Sequence, residues 1–417
     1  MTEFAKTVIN LGQKPNLIFV QIASYRDPEL VPTIKDCIQK AKYPENLTFG
    51  ICRQFSEKDG WDNLDEYRSD PRFTIMDVKW NESKGLGWAR HHTQKLWKGE
   101  KYTMQLDSHH RFLQDWDQIL LDMMVLTGSP KPILTSYALP YNPKTQELTQ
   151  GGPYKMVGRE FSAHGTIMFY PESIQEWATL TKPIPARFVS GHFYFTLGEH
   201  CTEYKYDPQI YFAGDEISLS IRSFTLGYDL FHPHRAVVWH EYTREGRAKH
   251  WDDFQDGNKN AGIVDKLWHE MDWESKQRLR HMLKEEDNRI DLGIYDLGTV
   301  RTHRDFEIYA GINFKLRKLH PNTVAGINPP VNEPDYDWTS QEHEYTYNLS
   351  IPATEPGFQF IHIGFEDKMG KILYRKDIHA YVPTLNVSFK SYDVPHKWVY
   401  WVYLSETGWG KRIDTVL

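Results

Sequence analysis

A carboxylate and an imidazole stand two residues apart in Asp107-Ser108-His109, directly after the short run Tyr102-Thr103-Met104-Gln105-Leu106. The run reads as a strand, so the acid and the imidazole fall at its carboxyl end, the edge at which open α/β sheets bind ligands. Oxygen and mixed oxygen–nitrogen ligation suits Mn2+ or Mg2+. Such a cation neutralises charge that builds on a leaving diphosphate. The same triplet also arises where Asp107 caps a following helix and His109 lies on the surface. A third ligand has to come from later in the chain, where His232, His234 and His240 follow Gly227. His240 is the best placed of the three, because it ends the apolar run Val237-Val238-Trp239.

Two further carboxylates, Asp215 and Glu216, open an amphipathic stretch after Gly214. They read either as helix-capping acids favoured by the dipole or as groups that face a sugar and an acceptor hydroxyl, within hydrogen-bond reach of it. Arg26 and Asp27 follow an apolar run at its carboxyl end and read as a solvated Arg with a helix cap, or as contacts to a nucleoside. In Ser83-Lys84-Gly85-Leu86-Gly87-Trp88-Ala89-Arg90, two glycines at a helix start would let backbone N–H groups approach an anion, with Lys84 and Arg90 adding charge.

The elements that must position these groups can be read from periodicity. Leu17 to Ser24 is a nearly continuous apolar run, short enough for a buried strand. Asp27-Pro28 then offers an N-cap and a first-turn proline. Leu30, Ile34, Cys37, Ile38 and Ala41 follow at helical spacing up to Pro44. Leu47–Arg53 gives a second strand, so the chain opens β-α-β, which favours parallel pairing with a right-handed crossover. Phe73–Val78 is a third strand, and the glycine-opened helix is expected to last to about Lys98. Asp115–Leu126 reads as a helix, Pro130–Leu139 and Phe161–Tyr170 as strands, and the segment after Gly214 as a helix closed by Gly227. Trp251 to about Arg289 is polar and helical. Around Asn328-Pro329-Pro330 the composition shifts to a linker. Beyond it Tyr345–Leu349, Phe358–Phe365, Leu373–Asp377, Leu385–Tyr392 and Trp398–Leu404 read as strands of a small all-β, sandwich-like domain.

At 417 residues the chain is too long for one ordinary core. The expected division is an α/β domain over 1–327, with a helical extension from about 251, and a β domain over 328–417. A net charge of −7 argues against a nucleic-acid partner. Three widely spaced cysteines, Cys37, Cys52 and Cys201, form no zinc or disulfide pattern and read as buried thiols in a reducing compartment. No run reaches the roughly 20 apolar residues of a membrane span, and Met1–Pro15 has no apolar signal region, so the cytoplasm is expected. The 14 Trp and 24 Tyr supply rings for a core or for stacking on sugars.

Four motifs in one order carry a resemblance: Ile22-Ala23-Ser24-Tyr25-Arg26-Asp27-Pro28-Glu29-Leu30, Gly85-x-Gly87-Trp88-Ala89-Arg90, Gln105-Leu106-Asp107-Ser108-His109 and Phe212-Ala213-Gly214-Asp215-Glu216. Together they resemble glycosyltransferase family 60, the protein-hydroxyproline N-acetylglucosaminyltransferases and their bacterial relatives. The resemblance implies a GT-A fold and a metal-dependent, retaining transferase using UDP-GlcNAc on a protein or glycan hydroxyl. It implies nucleotide contacts from Ser24, Arg26, Asp27, Gly85, Gly87, Arg90 and Asp107, a metal on Asp107, His109 and His240, and sugar or acceptor contacts from Asp215 and Glu216. The Asp-Ser-His triplet is similar to the metal motif of the mucin-type GalNAc transferases, in which a later His completes the shell. A non-catalytic carbohydrate-binding protein is the rival reading, resting on the aromatic content and the β domain. A metal hydrolase is disfavoured by the absence of an HExxH.

Overall fold

The computed structural model describes residues 16–162, 165–338, 343–354, 357–368, 370, 372–391, 393–404 and 408–417. The polar lead-in read over Met1–Pro15 lies outside them. The chain divides into two compact units, one ending at Pro334 and one beginning at Asp335.

The first unit is built on β1 (Ile18–Tyr25), β2 (Leu47–Phe55), β3 (Phe73–Lys79) and β4 (Tyr102–Asp107). β1 lies between β2 and β4 and is parallel to both, with Ile22 opposite Ile51 on one side and Leu106 on the other. A strand flanked on both edges and covered on both faces has to be apolar throughout, and Ile18, Phe19, Val20 and Ile22 are each at most 1% exposed. The opening β-α-β therefore forms as expected. Its helix runs Leu30–Lys40 and buries Leu30, Thr33, Ile34 and Cys37, at the spacings of three and four that the sequence shows.

Asp27 is not the N-cap of that helix. The capping position is Glu29, and Asp27 Oδ1 instead accepts from the Glu29 N–H in the preceding turn. The glycine-opened helix spans only Leu86–Gln94, short of the Lys98 read from the pattern.

A short link leads from β4 to β5 (His110–Phe112). Next come the helix Trp116–Leu126 and β6 (Pro132–Thr135). The single strand expected over Pro130–Leu139 is split, because the chain changes sheet there: β7 (Leu139–Pro140) belongs to a small three-stranded sheet. The expected strand over Phe161–Tyr170 is a hairpin of β8 (Tyr154–Phe161) and β9 (Ile167–Ser173), with Gly165 at φ 84° in its turn. β10 (Ile184–Pro185), β11 (Phe193–Leu197) and β12 (Asp229–His232) complete an eight-stranded sheet in the order β10-β12-β6-β11-β4-β1-β2-β3. β13 (Val238–His240) joins β5 and β7 in the small sheet. The large open sheet flanked by helices is the α/β architecture expected from the sequence.

The helix Asp215–Thr225 buries Ile217, Ile221 and Phe224 in a second core. That core is completed from the helical region: Leu279 and Leu283, the helix His303–Ala310, and the short pair β14 (Ile312–Asn313) and β15 (Lys318–Leu319) that follows it. The extension is thus a wall of the first unit, and it fixes the helix on which Asp215 and Glu216 sit.

The second unit pairs β16 (His343–Ser350) with β19 (Thr384–Ser391), and orders β17 (Phe358–Glu366), β18 (Ile372–Ile378), β20 (Lys397–Leu404) and β21 (Gly408–Trp409) as β18-β17-β20-β21, with β22 (Ile413–Val416) also on β20. Leu349, Ile361, Ile363, Phe365, Val387, Phe389 and Tyr400 share one core between the two sheets. All five expected strands are present, apart from Tyr392, which lies outside the described residues. No helix of the described residues is long and apolar enough to cross a membrane.

Candidate metal and nucleotide-sugar site

Asp107 ends β4, and the backbone turns at once into β5. β5 then pairs antiparallel with β13 in a register that sets His240 opposite His110. The Glu241 N–H donates to the His109 carbonyl at 3.1 Å, which continues the pairing into the turn. Pairing between segments some 130 residues apart in sequence thereby delivers the later histidine to the Asp-x-His turn. His240 Nε2 stands 3.5 Å from Asp107 Oδ2, and His109 Nε2 stands 3.8 Å from the same oxygen. One ligand atom from each of the three residues lies within 4.8 Å of the others. His232 and His234 are not in the cluster. His232 is buried against the Thr135 carbonyl and the Met156 N–H.

The chemistry of the three suits a divalent cation. Burial opposes ionisation of Asp107, yet His240, the Arg90 guanidinium and His109 hold its carboxyl well below the usual range. Burial drives the His240 imidazole well below its ordinary value, with His192 and His109 adding to the effect, so the ring is neutral. Both of its nitrogens are buried without a hydrogen-bond partner among the described residues. A buried, neutral and unpaired imidazole facing a carboxylate is costly unless something takes its lone pair. The His109 ring is oriented by Asp27, whose Oδ2 lies 2.7 Å from His109 Nδ1 and also accepts from Ser108 Oγ at 2.7 Å. A proton on Nδ1 leaves the Nε2 lone pair directed toward Asp107.

Several residues picked out in the sequence have their contacts filled within the protein. Asp27 is 1% exposed and is held well below the usual carboxylate range against burial by His109, Arg247 and Ser108. Arg26, at φ 48°, is clamped between Asp59 and Asp253. Ser24 is the exception: it is buried beneath the site and its carbonyl accepts from Gln54 Nε2, but its hydroxyl has no hydrogen-bond partner among the described residues. The glycine turn also serves packing. The N–H groups of Leu86 and Gly87 donate to the carbonyls of Tyr211 and Ile210, and a Cβ on Gly87 would collide with the Ile210 oxygen. These N–H groups are therefore not free for a phosphate, whereas Gly85 does line the cleft.

Arg90 is buried between two of the acids, 2.9 Å from Asp107 and 2.5 Å from Asp215, and it also donates to the Gly191 carbonyl. Glu216 accepts from Tyr137 Oη at 2.9 Å and from the Gly191 N–H at 3.0 Å. Burial pushes its carboxyl up to about 7 despite these two bonds.

Two clefts meet at Asp107. One is lined by Tyr25, Gly85, His109, Tyr211, Arg247, His250 and Trp251. The other is lined by Tyr137, Phe169, His192, Asp215, Glu216, His240 and Tyr242. Asp107, Leu86, Phe212 and Arg244 border both. Arg244 and Arg247 were not picked out in the sequence. Arg244 lies over the rings of Phe212 and Trp251. Arg247 bridges Asp27, His109 and Glu241. The only available signal was the run of Arg244-x-x-Arg247 soon after His240.

The family model described as "Glycosyltransferase (GlcNAc)" matches residues 17–74 and 61–316, most of the chain and all of the cluster. The chain belongs to this glycosyltransferase family. Among solved structures, this family member is similar to GalNAc-T7, crystallised with UDP, GalNAc and Mn2+, at 17% identity and a TM-score of 0.47, covering 70% of this chain and 54% of that one. It therefore spans about half the length of GalNAc-T7. It is also similar to S. aureus TarS, at 10% identity and a TM-score of 0.38, covering 96% of this chain and 77% of that one. A complex of TarS residues 1–349 with UDP-GlcNAc matches at 10% identity and a TM-score of 0.38, over 64% of this chain and 72% of that one. No curated protein matches. The family assignment rests on the family model and not on these structural likenesses.

Proposed function

We propose that this glycosyltransferase moves a sugar, GlcNAc from UDP-GlcNAc, onto a hydroxyl of a protein or glycan acceptor, with a divalent cation on Asp107, His109 and His240. The observation that carries the reading is the cluster itself: a strand-end acid and two histidines, one of them unpaired, where two clefts meet. When bound, Mn2+ or Mg2+ supplies positive charge to a leaving diphosphate. The cleft beside Gly85, Tyr211 and Trp251 takes the nucleotide, and the cleft beside Glu216 and Tyr137 takes the acceptor. The order of the four sequence motifs supports a place in glycosyltransferase family 60, and the buried free thiols support action in the cytoplasm.

The geometry supports a different division of roles from the one the sequence suggests. Asp27 orients His109, and Arg90 holds Asp107 and Asp215 in register, so both act through their neighbours rather than on the nucleotide. Arg244 and Arg247 take over as the cations next to the diphosphate. Glu216 stays in the acceptor cleft, where its carboxyl, fixed by Tyr137, positions a sugar or acceptor hydroxyl. Retention follows a same-face displacement. The acceptor oxygen bonds to the anomeric carbon, the bond from that carbon to the phosphate oxygen breaks, and the acceptor proton passes to the departing phosphate. Asp215 and Glu216 are both occupied by partners, which is why neither is assigned as a nucleophile.

The test is UDP release from UDP-GlcNAc in the presence of Mn2+. Release that is abolished by EDTA and restored by added metal supports the reading. A chain that binds UDP-GlcNAc but never releases UDP is a carbohydrate-binding protein instead.

A further inference from the structure

The C-terminal unit has an outer sheet face that its core does not use. On β17, Ile361, Ile363 and Phe365 point into the core, so Phe360 and His362 project from the other side. On β20, Tyr400 and Val402 face inward, so Trp401 and Tyr403 project outward. The register sets Phe360 opposite Tyr403 and His362 opposite Trp401, and brings Trp409 of β21 opposite Tyr403. The rings form one surface. Phe360 and Tyr403 stack at 5.1 Å with planes 7° apart, and Trp409 sits 4.2 Å from Trp401 and 5.2 Å from Tyr403. Trp409 is 44% exposed, and Phe360, His362, Trp401 and Tyr403 are half-buried.

Polar groups border the rings on the same face. Asp377 of β18 lies opposite His362, accepts from its Nδ1 at 2.7 Å, and is half exposed. Arg375, also exposed, is two residues before it. Trp401 Nε1 is already satisfied by the Gly410 carbonyl, so that ring offers its face and not a donor.

We propose that this face is a glycan-binding surface for an uncharged pyranoside oligosaccharide. A pyranose ring presents a face of C–H groups that packs on the electron-rich face of an aromatic ring, while its hydroxyls project sideways to hydrogen-bonding groups. Rings flanked by a His–Asp pair match both halves of that chemistry. Charge selects the occupant. Among the described residues the charges on this face are matched: Asp377 pairs with His362 beside Arg375, and Lys397 and Arg412 are held by Glu366 and Asp414, so no unopposed cation cluster is offered to a polyanion or an acidic membrane. An exposed contiguous ring cluster is otherwise a liability for a soluble surface.

The experiment titrates the full-length chain with cellopentaose, chitopentaose and maltopentaose, following tryptophan fluorescence and saturation-transfer NMR. Binding of at least one oligosaccharide is expected. It should weaken at least about tenfold in Trp409→Ala, with UDP release from UDP-GlcNAc unchanged. Asp377→Ala, which removes a surface carboxylate and no core contact, should also weaken it. The proposal is overturned if the wild-type chain binds none of the three, or if both variants bind like the wild type. It is also overturned if the face prefers vesicles containing phosphatidylserine to all three sugars.

Discussion

Arg247 donates to His109 Nε2 at 3.2 Å, the same nitrogen whose lone pair faces Asp107. The guanidinium also engages Asp27 and lies 3.3 Å from Glu241. A cation of the protein thus occupies the ground next to the three-ligand cluster. Under the proposed function, a metal ion taking the His109 lone pair would have to displace this contact, which would free Arg247 to turn toward a bound diphosphate.

The first prediction follows from that competition. Arg247→Ala should bind Mn2+ more tightly than the wild type in the absence of nucleotide, and should bind UDP more weakly once metal is present. Titration calorimetry with Mn2+ alone, then with UDP at saturating Mn2+, separates the two effects. Weaker metal binding in the variant would contradict the placement.

Asp27 gives a second. Its bond to His109 fixes the ring and its tautomer, and outer partners of this kind typically govern about 10–100-fold of metal affinity. Asp27→Asn should lose metal affinity in that range while the cluster residues stay intact. The folded state holds the Asp27 carboxyl below its unfolded value. Its contribution to stability is therefore present above the unfolded value and is lost as pH falls through the folded one. Asp27→Asn should flatten the acid limb of a stability–pH profile.

Glu216 titrates in the opposite sense. Its carboxyl is raised from 4.5 to about 7 in the folded chain. Between those values the unfolded chain has released the proton and the folded chain still holds it. Stability therefore falls as pH rises across that window, by up to about 3 kcal/mol for a shift of this size. Denaturant unfolding of Glu216→Gln should show a shallower decline between pH 5 and 7 than the wild type.

The glycine turn can be tested by size. A Cβ at Gly87 meets the Ile210 and Asp207 carbonyl oxygens, which are backbone and cannot swing aside. Gly87→Ala should cost about 1–3 kcal/mol and loosen the cleft through Tyr211. Gly257, in the helix Asp256–Asn260, is the control, since a Cβ there would meet nothing within 4 Å. Its alanine variant should stabilise by about 0.5–1 kcal/mol. Chemical denaturation of both variants reads the contrast.

Much of this was legible in the sequence, and the exceptions share a cause. Leu17–Ser24 reads as a strand because it is buried on both faces, and the alternating runs after Tyr345 read as strands because each has one face in a core. Asp107 and His109 were legible as a pair because they stand two residues apart at the end of one strand. His240 was favoured only because it ends an apolar run, and the register with His110 that brings it to the cluster is a tertiary fact. Arg26, Asp27 and Arg90 read as ligand contacts because nothing local shows Asp253, Arg247 or Asp215 satisfying them from far along the chain. The helix-start glycines read as an anion cradle for the same reason, since the carbonyls of Ile210 and Tyr211 that take the N–H groups come from another segment. Trp409 lies on a strand of two residues, too short to carry any periodicity.

The central claim is that Asp107, His109 and His240 hold the metal on which sugar transfer depends. The most direct test compares UDP release from UDP-GlcNAc by the wild type, Asp107→Ala and His240→Ala over a Mn2+ titration, with EDTA as the zero point. Metal-dependent release by the wild type, and its loss in both variants at every Mn2+ concentration, is the predicted result. Undiminished turnover by Asp107→Ala with EDTA present would contradict it.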